Sequence, residues 1–478
     1  VAIISAIYIF GIYFSVGDGY LAYFDDDFFY YLVTAKNTLK YGYVTFNGIV
    51  PTNGFHPLWF GIILILQGIF DDPSFVIVCI SVLTFFGTIF TFLWTYRFLI
   101  NYSQNTGKHI ALAGAYLTAL FYITMARGGM EVILTVPLIV YLLVGIANTN
   151  VSDTRFAIFS SLIVLSRLDS AILIGLIGLY LIYHKRISII VFIIPFFVLA
   201  IYILSNIIFY DTIMPVSGMA KQLRNSYMPV IHSVKFIYYL SLDISNIFIQ
   251  GQLFLYLLGI ILLVKNWYRI KERGLFIIAI IFPLVLLLHN SIMSGWMFWS
   301  WYYYMFIPST ILTFVLIGTV IKKNYQIPIS IFSILIFSAY ILFKSYTFSP
   351  EQNQIYMLGK NIAKKLENSD DVIAMGDRAG IVSYLIENPV VQTEGLVMDK
   401  DFLMKIKAEQ PVIDILKEYD VRYYISNNPI QTSNGWAVSE PYKHHKHIIV
   451  SRDTLRFEPF SRIENGVWKN YIFDLIKE

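Results

Sequence analysis

The chain has 478 residues, of which 57% are hydrophobic and only 14% charged. A soluble protein carries about 25% charged residues, and here the mean hydropathy is strongly positive, at +0.64. A net charge of +4 leaves no basic footprint for nucleic acid, and a single cysteine, Cys79, excludes an intrachain disulfide.

Apolar runs recur in chain order. Residues 1–16 read as the end of a first transmembrane span rather than as a cleavable signal. Further runs lie at 75–97, 109–126, 131–147, 156–167, 170–183, 187–210, 252–265, 275–289, 302–321 and 327–345. Crossing a hydrocarbon core of about 30 Å takes roughly 20 residues, so these runs predict about eleven spans, several of them short. Lysine and arginine gather in alternate connections, at Arg97 and Lys108, Arg155, Lys185 and Arg186, Lys265 to Arg273, and Lys322 with Lys323. The positive-inside rule makes those connections cytoplasmic. The loops around Glu131, Asp169 and residues 211–251 then face outward, as does everything after the last span. Pro57–Phe70 is too short to cross and reads as an interfacial or re-entrant helix, which extends the first external loop from 17 to 74.

Near residue 346 the composition changes: charges become dense and alternate with short apolar runs. The expected organisation is a polytopic α-helical membrane domain, 1–345, followed by a soluble extracytoplasmic α/β domain, 346–478. In the latter, Val372–Met375, Val390–Gln392 and Val421–Ile425 read as strands. Gln352–Leu366, Phe402–Lys407 and Val412–Tyr419 read as amphipathic helices.

Ionisable residues outside the spans form a short set. Asp25, Asp26 and Asp27 precede a run in which Phe28, Leu32, Ala35 and Leu39 recur at helical spacing, predicting an amphipathic helix along the membrane surface. One of the three fits an N-cap; three adjacent carboxylates repel, which raises a pKa towards that of a general base or favours a divalent cation. Asn53 and His56 follow in a loop with Asn47-Gly48 and Asn53-Gly54 turns; they either shape it or contact substrate. Trp59 reads as an interfacial anchor. Arg127 with Glu131, and Arg167 with Asp169, stand at the ends of spans. Each is either a local ion pair or an acid orienting an arginine that binds phosphate. Lys221 either snorkels or meets a lipid phosphate. The run Trp296–Tyr304 reads mostly as an aromatic belt, though such rings also stack on sugars or isoprenoids. Walker, HExxH, CxxC and Gly-x-Ser-x-Gly patterns do not occur in the sequence.

These motifs together resemble the GT-C superfamily of membrane glycosyltransferases. The likeness is to the branch of arabinofuranosyltransferase-like and dolichyl-phosphate-mannose mannosyltransferase-like enzymes. It is carried by Asp26-Asp27-x-Phe29 with Ala35-x-Asn37, the run Thr52–Trp59, Gly129-Met130-Glu131, Arg167-Leu168-Asp169 and Pro215-x-Ser217-x-x-Ala220-Lys221. Asp377–Gly380 and Glu394–Val397 extend it into the tail. The resemblance implies transfer of a sugar from a polyprenyl-phosphate-linked donor to a glycan, lipid or protein acceptor on the extracytoplasmic face of the cytoplasmic membrane. It implies an acidic base in the first external loop: Asp26 first, with Asp27 or Asp25 as second choice. Relatives carry a small residue where this chain has Phe28, so the register of the aspartates stays open by one. Asn53, His56, Arg127, Glu131, Arg167, Asp169 and Lys221 are the expected substrate contacts. Magnesium or manganese on Asp26, Asp27 and Glu131 is compatible with the resemblance but not required by it. The rival readings are a transporter or flippase for a polar lipid, and a lipid-linked oligosaccharide ligase or polymerase.

Overall fold

The structure, a computed structural model, describes residues 17–102, 107–147, 152–223, 247–270, 273–294, 298–346, 353–366, 369–440, 451–465 and 468–477, with Trp296 and scattered positions in 1–9. Most of the expected first span, 1–16, lies outside the described residues, as does part of the 211–251 loop.

After a 3₁₀ turn at Gly17–Tyr23 the helices run α1 (Asp26–Tyr41), α2 (Pro57–Ile69), α3 (Pro73–Tyr102), α4 (Lys108–Ala126), α5 (Val132–Ala147), α6 (Asp153–Ser166) and α7 (Ala171–Tyr183). They continue as α8 (Ile189–Tyr210), α9 (Val216–Leu223), α10 (Ile247–Lys265), α11 (Arg273–Met293), α12 (Ile307–Val320) and α13 (Lys323–Tyr346). Among the described residues six helical segments are long and apolar enough to cross a membrane: α3, α4, α8, α11, α13 and Ser300–Val320, which ends in α12. Apolar helices at 57–69, 132–146, 168–183 and 250–265 are shorter. At 1.5 Å per residue a 16-residue helix such as α5 is only about 24 Å long, so the eleven expected crossings would need residues 1–16 and the short helices α5, α6, α7 and α10 to span as well.

In the middle of α3 small polar residues face the body and large apolar ones face out. On α3 the buried face carries Thr84, Thr88, Thr91 and Thr95, while Phe86, Phe90 and Leu93 point outward. The hydroxyls of Thr84 and Thr88 donate to the carbonyls of Ile80 and Thr84, at 2.9 and 2.8 Å, whereas the buried hydroxyls of Thr91 and Thr95 have no hydrogen-bond partner. The α8 helix exposes Ile190, Ile193, Phe197, Ile201, Leu204 and Ile208. An apolar surface of that extent fits lipid rather than water.

The tail begins with α14 (Gln354–Leu366) and continues β1 (Val372–Met375), α15 (Ala379–Leu385), β2 (Val390–Gln392), α16 (Lys400–Lys407), α17 (Val412–Lys417) and β3 (Val421–Asn427). Then come β4 (Ile430–Thr432), β5 (Gly435–Glu440), β6 (Ser451–Leu455), β7 (Ser461–Asn465) and β8 (Trp468–Asp474). One sheet has the order β2-β1-β3-β8-β7, with β1 parallel to β2 and β3 and the β8 and β7 pairings antiparallel. A separate antiparallel sheet is β4-β5-β6. The expected strands and helices of 354–427 are present. In contrast, β4 to β7 carry no long apolar run, and β8, as long as β3, is not among the strands expected from the sequence although it holds the buried run Tyr471-Ile472-Phe473.

Two expectations are corrected here. Rather than having one face left open, as an amphipathic helix would, α1 is wedged between body and tail, and every residue from Phe28 to Ala35 is buried. Phe28, Phe29, Tyr31, Leu32 and Ala35 join the core of the helical body, whereas Tyr30 and Val33 join a core with Leu358, Met375 and Ile425 of the tail. Trp59 is no interfacial anchor either: it is fully buried, and its indole N–H donates to the Gly129 carbonyl at 3.2 Å.

Candidate functional site

Successive helix positions are turned by about 100°, so three adjacent aspartates at the start of α1 meet three surroundings. Asp25 occupies the N-cap position without a side-chain capping bond. Its backbone N–H donates to the Gly128 carbonyl at 3.1 Å, and Arg127 lies within electrostatic reach of its carboxylate. Asp26 turns to the tail, where its carboxylate accepts the backbone N–H groups of Gly380 (3.2 Å) and Ile381 (2.8 Å) at the start of α15. Asp27 faces a cleft.

The cleft is walled by α1 (Tyr30, Tyr31, Thr34), by the loop Gly54–His56, by Glu131 and Arg167 of the body, and by Lys221 of α9. Trp296, Trp299, Trp301 and Tyr302 form an aromatic side, and Leu396 and Val397 of the tail close it. Trp299 and Trp301 are stacked, with ring centres 5.9 Å apart.

The charges here are built into a network. Arg167, 2% exposed, donates to Glu131 Oε1 (2.5 Å) through Nη1 and to Asp169 Oδ1 (3.0 Å) through Nε. Its guanidinium lies between the rings of Tyr302 and Tyr304, 4.7 and 4.6 Å from their centres. The Tyr304 hydroxyl donates to Asp169 Oδ1 at 3.0 Å. A buried guanidinium satisfied by two carboxylates and two ring faces is fixed in place. His56 Nδ1 accepts the Leu168 N–H at 3.4 Å, which leaves the proton on Nε2, 3.8 Å from Glu131 Oε1. Burial lowers the His56 pKa and outweighs the pull of Glu131, so the ring is neutral at neutral pH. Among the described residues, Glu131 Oε2 and Thr34 Oγ1 are buried polar atoms of cleft-lining side chains with no hydrogen-bond partner.

Burial also sets the titration of the acids. It raises Asp27 to about 7: Lys221 opposes the rise, and Asp26, Asp25 and Asp377 add to it. Asp26 is raised to about 6, again by burial first, with the Ile381 and Gly380 N–H groups pulling the other way. Asp25 is raised for the same reason, against Arg127. The Lys221 ammonium donates to the Tyr302 hydroxyl at 3.0 Å; despite burial, the tyrosine and Asp27 hold its pKa above the usual lysine value.

Of the residues singled out in the sequence, Asp27, His56, Glu131, Arg167 and Lys221 line the cleft, and Asp169 holds Arg167 from behind. The others serve elsewhere. Glu131 pairs with Arg167 rather than with its sequence neighbour Arg127, which is exposed. Asn53 is a buried latch: its amide donates to Asn206 Oδ1 (3.1 Å) and Thr212 Oγ1 (2.9 Å) and accepts the Val216 N–H (2.9 Å). Asp26 is bonded to the tail, and Glu131 to Arg167, so Asp26, Asp27 and Glu131 are not drawn into one metal-binding set. Among the described residues no group of three or more His, Cys, Asp or Glu side chains is placed to hold a metal ion.

Sequence reasoning missed Thr34, Tyr31, Leu396 and Val397 as cleft walls. Thr34 and Tyr31 look like ordinary positions of an amphipathic helix, and a contact from the tail has no local signature. Tyr302 and Tyr304 sit in a run that reads as a membrane belt, and only the fold turns their rings onto Arg167.

No protein-family model matches the chain, and no curated protein matches it.

Proposed function

We propose that the protein is a membrane glycosyltransferase of GT-C type, transferring a sugar from a polyprenyl-phosphate-linked donor to a hydroxyl of a glycan, lipid or protein acceptor. In this reading the shorter helices other than α2 also cross, giving about eleven spans, α2 lies at the interface, and the cleft and tail face the extracytoplasmic side. The observation that carries the reading is the content of one cleft: a carboxylate raised towards neutrality, Asp27, beside a charged Lys221 and an aromatic wall.

The chemistry follows from these groups. Asp27 takes the proton of the acceptor hydroxyl as its oxygen attacks the anomeric carbon. The bond from that carbon to the phosphate oxygen breaks, and the polyprenyl phosphate leaves with the electron pair. Lys221, bonded to a tyrosine hydroxyl, supplies positive charge to the leaving phosphate. Arg167 is already held by two carboxylates, so its part is to fix Glu131 at the cleft. Stacked Trp299 and Trp301 offer a flat apolar face for a sugar ring or an isoprenoid unit. The assignment of the base thus moves from Asp26, the first choice on resemblance, to Asp27, because the Asp26 carboxylate is engaged by two amides.

The test is consumption of radiolabelled polyprenyl-phosphate sugars by purified protein in lipid nanodiscs. Asp27→Asn is expected to slow transfer by roughly 10²–10⁴-fold, the usual range for loss of a general base. Full activity in Asp27→Asn would remove the base assignment. A wild-type protein that consumes no such donor would remove the enzyme class.

A further inference from the structure

The tail closes on the site through contacts with no slack. A Cβ added at Gly380 would lie 2.3 Å from the Asp26 carbonyl oxygen, and one at Gly54 would lie 2.0 Å from the Leu396 carbonyl oxygen. Both are backbone-to-backbone approaches that only glycine permits. Asn353 at the head of the tail donates to the Ala22 carbonyl at 2.6 Å, just before the aspartates. On the body side the first turn of α1 is held by the Asp25 N–H bond to the Gly128 carbonyl and by the buried rings of Phe28 and Phe29. A helix start leaves its first N–H groups unsatisfied, and the Asp25 side chain makes no capping bond.

From this we infer that the tail is the positioning element of the cleft, with Asp26 as the positioning residue. Its two-point bond to the Gly380 and Ile381 amides fixes the rotation of the first turn of α1, and so aims the neighbouring Asp27 carboxylate into the cleft. The inference rests on the reading of Asp27 as the base. Two hydrogen bonds from one carboxylate to adjacent amides fix an angle as well as a distance, which a single bond does not. The next residue, turned by about 100°, is thereby aimed without a contact of its own to the tail. Lys36–Glu387, further along α1, is exposed and contributes little to this.

A graded series tests it on the full-length protein. Asp26→Asn keeps one carbonyl oxygen for one of the two amides, and Asp26→Ala keeps none; Gly380→Ala pushes the partners apart while leaving Asp26 intact. Hydrogen exchange is read on peptides covering residues 26–41 and 379–385, and kcat and KM are read with a polyprenyl-phosphate sugar. The expected order of exchange is wild type, then Asp26→Asn, then Asp26→Ala, with Gly380→Ala raised as well and Asp27→Asn unchanged. The kcat should fall in the same order, by roughly 10²-fold at Asp26→Ala, as for a base displaced by about 1 Å. The donor KM should hold. The acid limb of the pH profile should persist in Asp26→Asn, since another residue makes it.

Equal loss in Asp26→Asn and Asp26→Ala together with disappearance of that limb would make Asp26 the base and overturn the inference. So would raised exchange in Gly380→Ala with kcat unchanged, or exchange that none of the Asp26 and Gly380 variants alters. If the wild type consumes no donor, the enzyme reading falls on its own. The exchange order then still decides whether Asp26 locks α1 to the tail.

Discussion

Burial acts on Asp27 in a way that ties its charge to neutral pH. Its carboxyl titrates at about 7 rather than at 3.8, and a base works only when deprotonated. The rate kcat/KM for transfer is therefore expected to rise through about pH 7 and to fall as pH drops below it; a profile flat from pH 5 to 8 would contradict this. Asn53 illustrates the opposite case, a polar residue buried for structure. Asn53→Ala removes two donated bonds and one accepted bond that join the first loop to Asn206, Thr212 and the start of α9. Leaving such partners unpaired costs roughly 1–3 kcal/mol. A lowered thermal midpoint with the donor KM held near wild type is the expected result.

At the level of elements, α1 shows what a sequence displays and what it hides. The spacing of Phe28, Leu32 and Ala35 predicts the helix, and Gly42 ends it with φ +79 and an N–H bonded to the Thr38 carbonyl. What spacing cannot display is a second partner. Tyr30 and Val33 lie on the face a surface helix would give to water, and here they are covered by a domain more than 300 residues downstream. The same holds for the site. Asp27, His56, Glu131, Arg167 and Lys221 are visible because polar residues at the ends of apolar runs stand out. Their pairing is not, because Glu131 meets Arg167 across 36 residues while Arg127 is only four away. The Gly54–Leu396 contact makes a test at this scale. A methyl at Gly54 has no space, and overpacking of this kind costs about 1–3 kcal/mol. Gly54→Ala should open the seam between loop and tail, read as faster protease cleavage within residues 386–400.

Taken as a whole molecule, the protein carries ionisable groups that favour function over stability. In the unfolded chain Asp27 titrates near 3.8, and in the folded protein near 7. Folding therefore takes up a proton between those values, and stability falls as pH rises through that window. Asp26 contributes with the same sign between 3.8 and about 6. Asp27→Asn is expected to melt above the wild type at pH 8, the difference closing by pH 4; equal midpoints at pH 8 would show that Asp27 is not strained by its surroundings.

The bond from Asp26 to Ile381 joins residues 355 positions apart in the chain. At ribosomal speeds of 5–20 residues per second, roughly 20–70 s separate the synthesis of its two halves. Through that interval the aspartates have left the ribosome while the wall formed by Leu396 and Val397 does not yet exist. The nascent protein thus carries an unfinished cleft, and it gains a closed one only when the tail arrives.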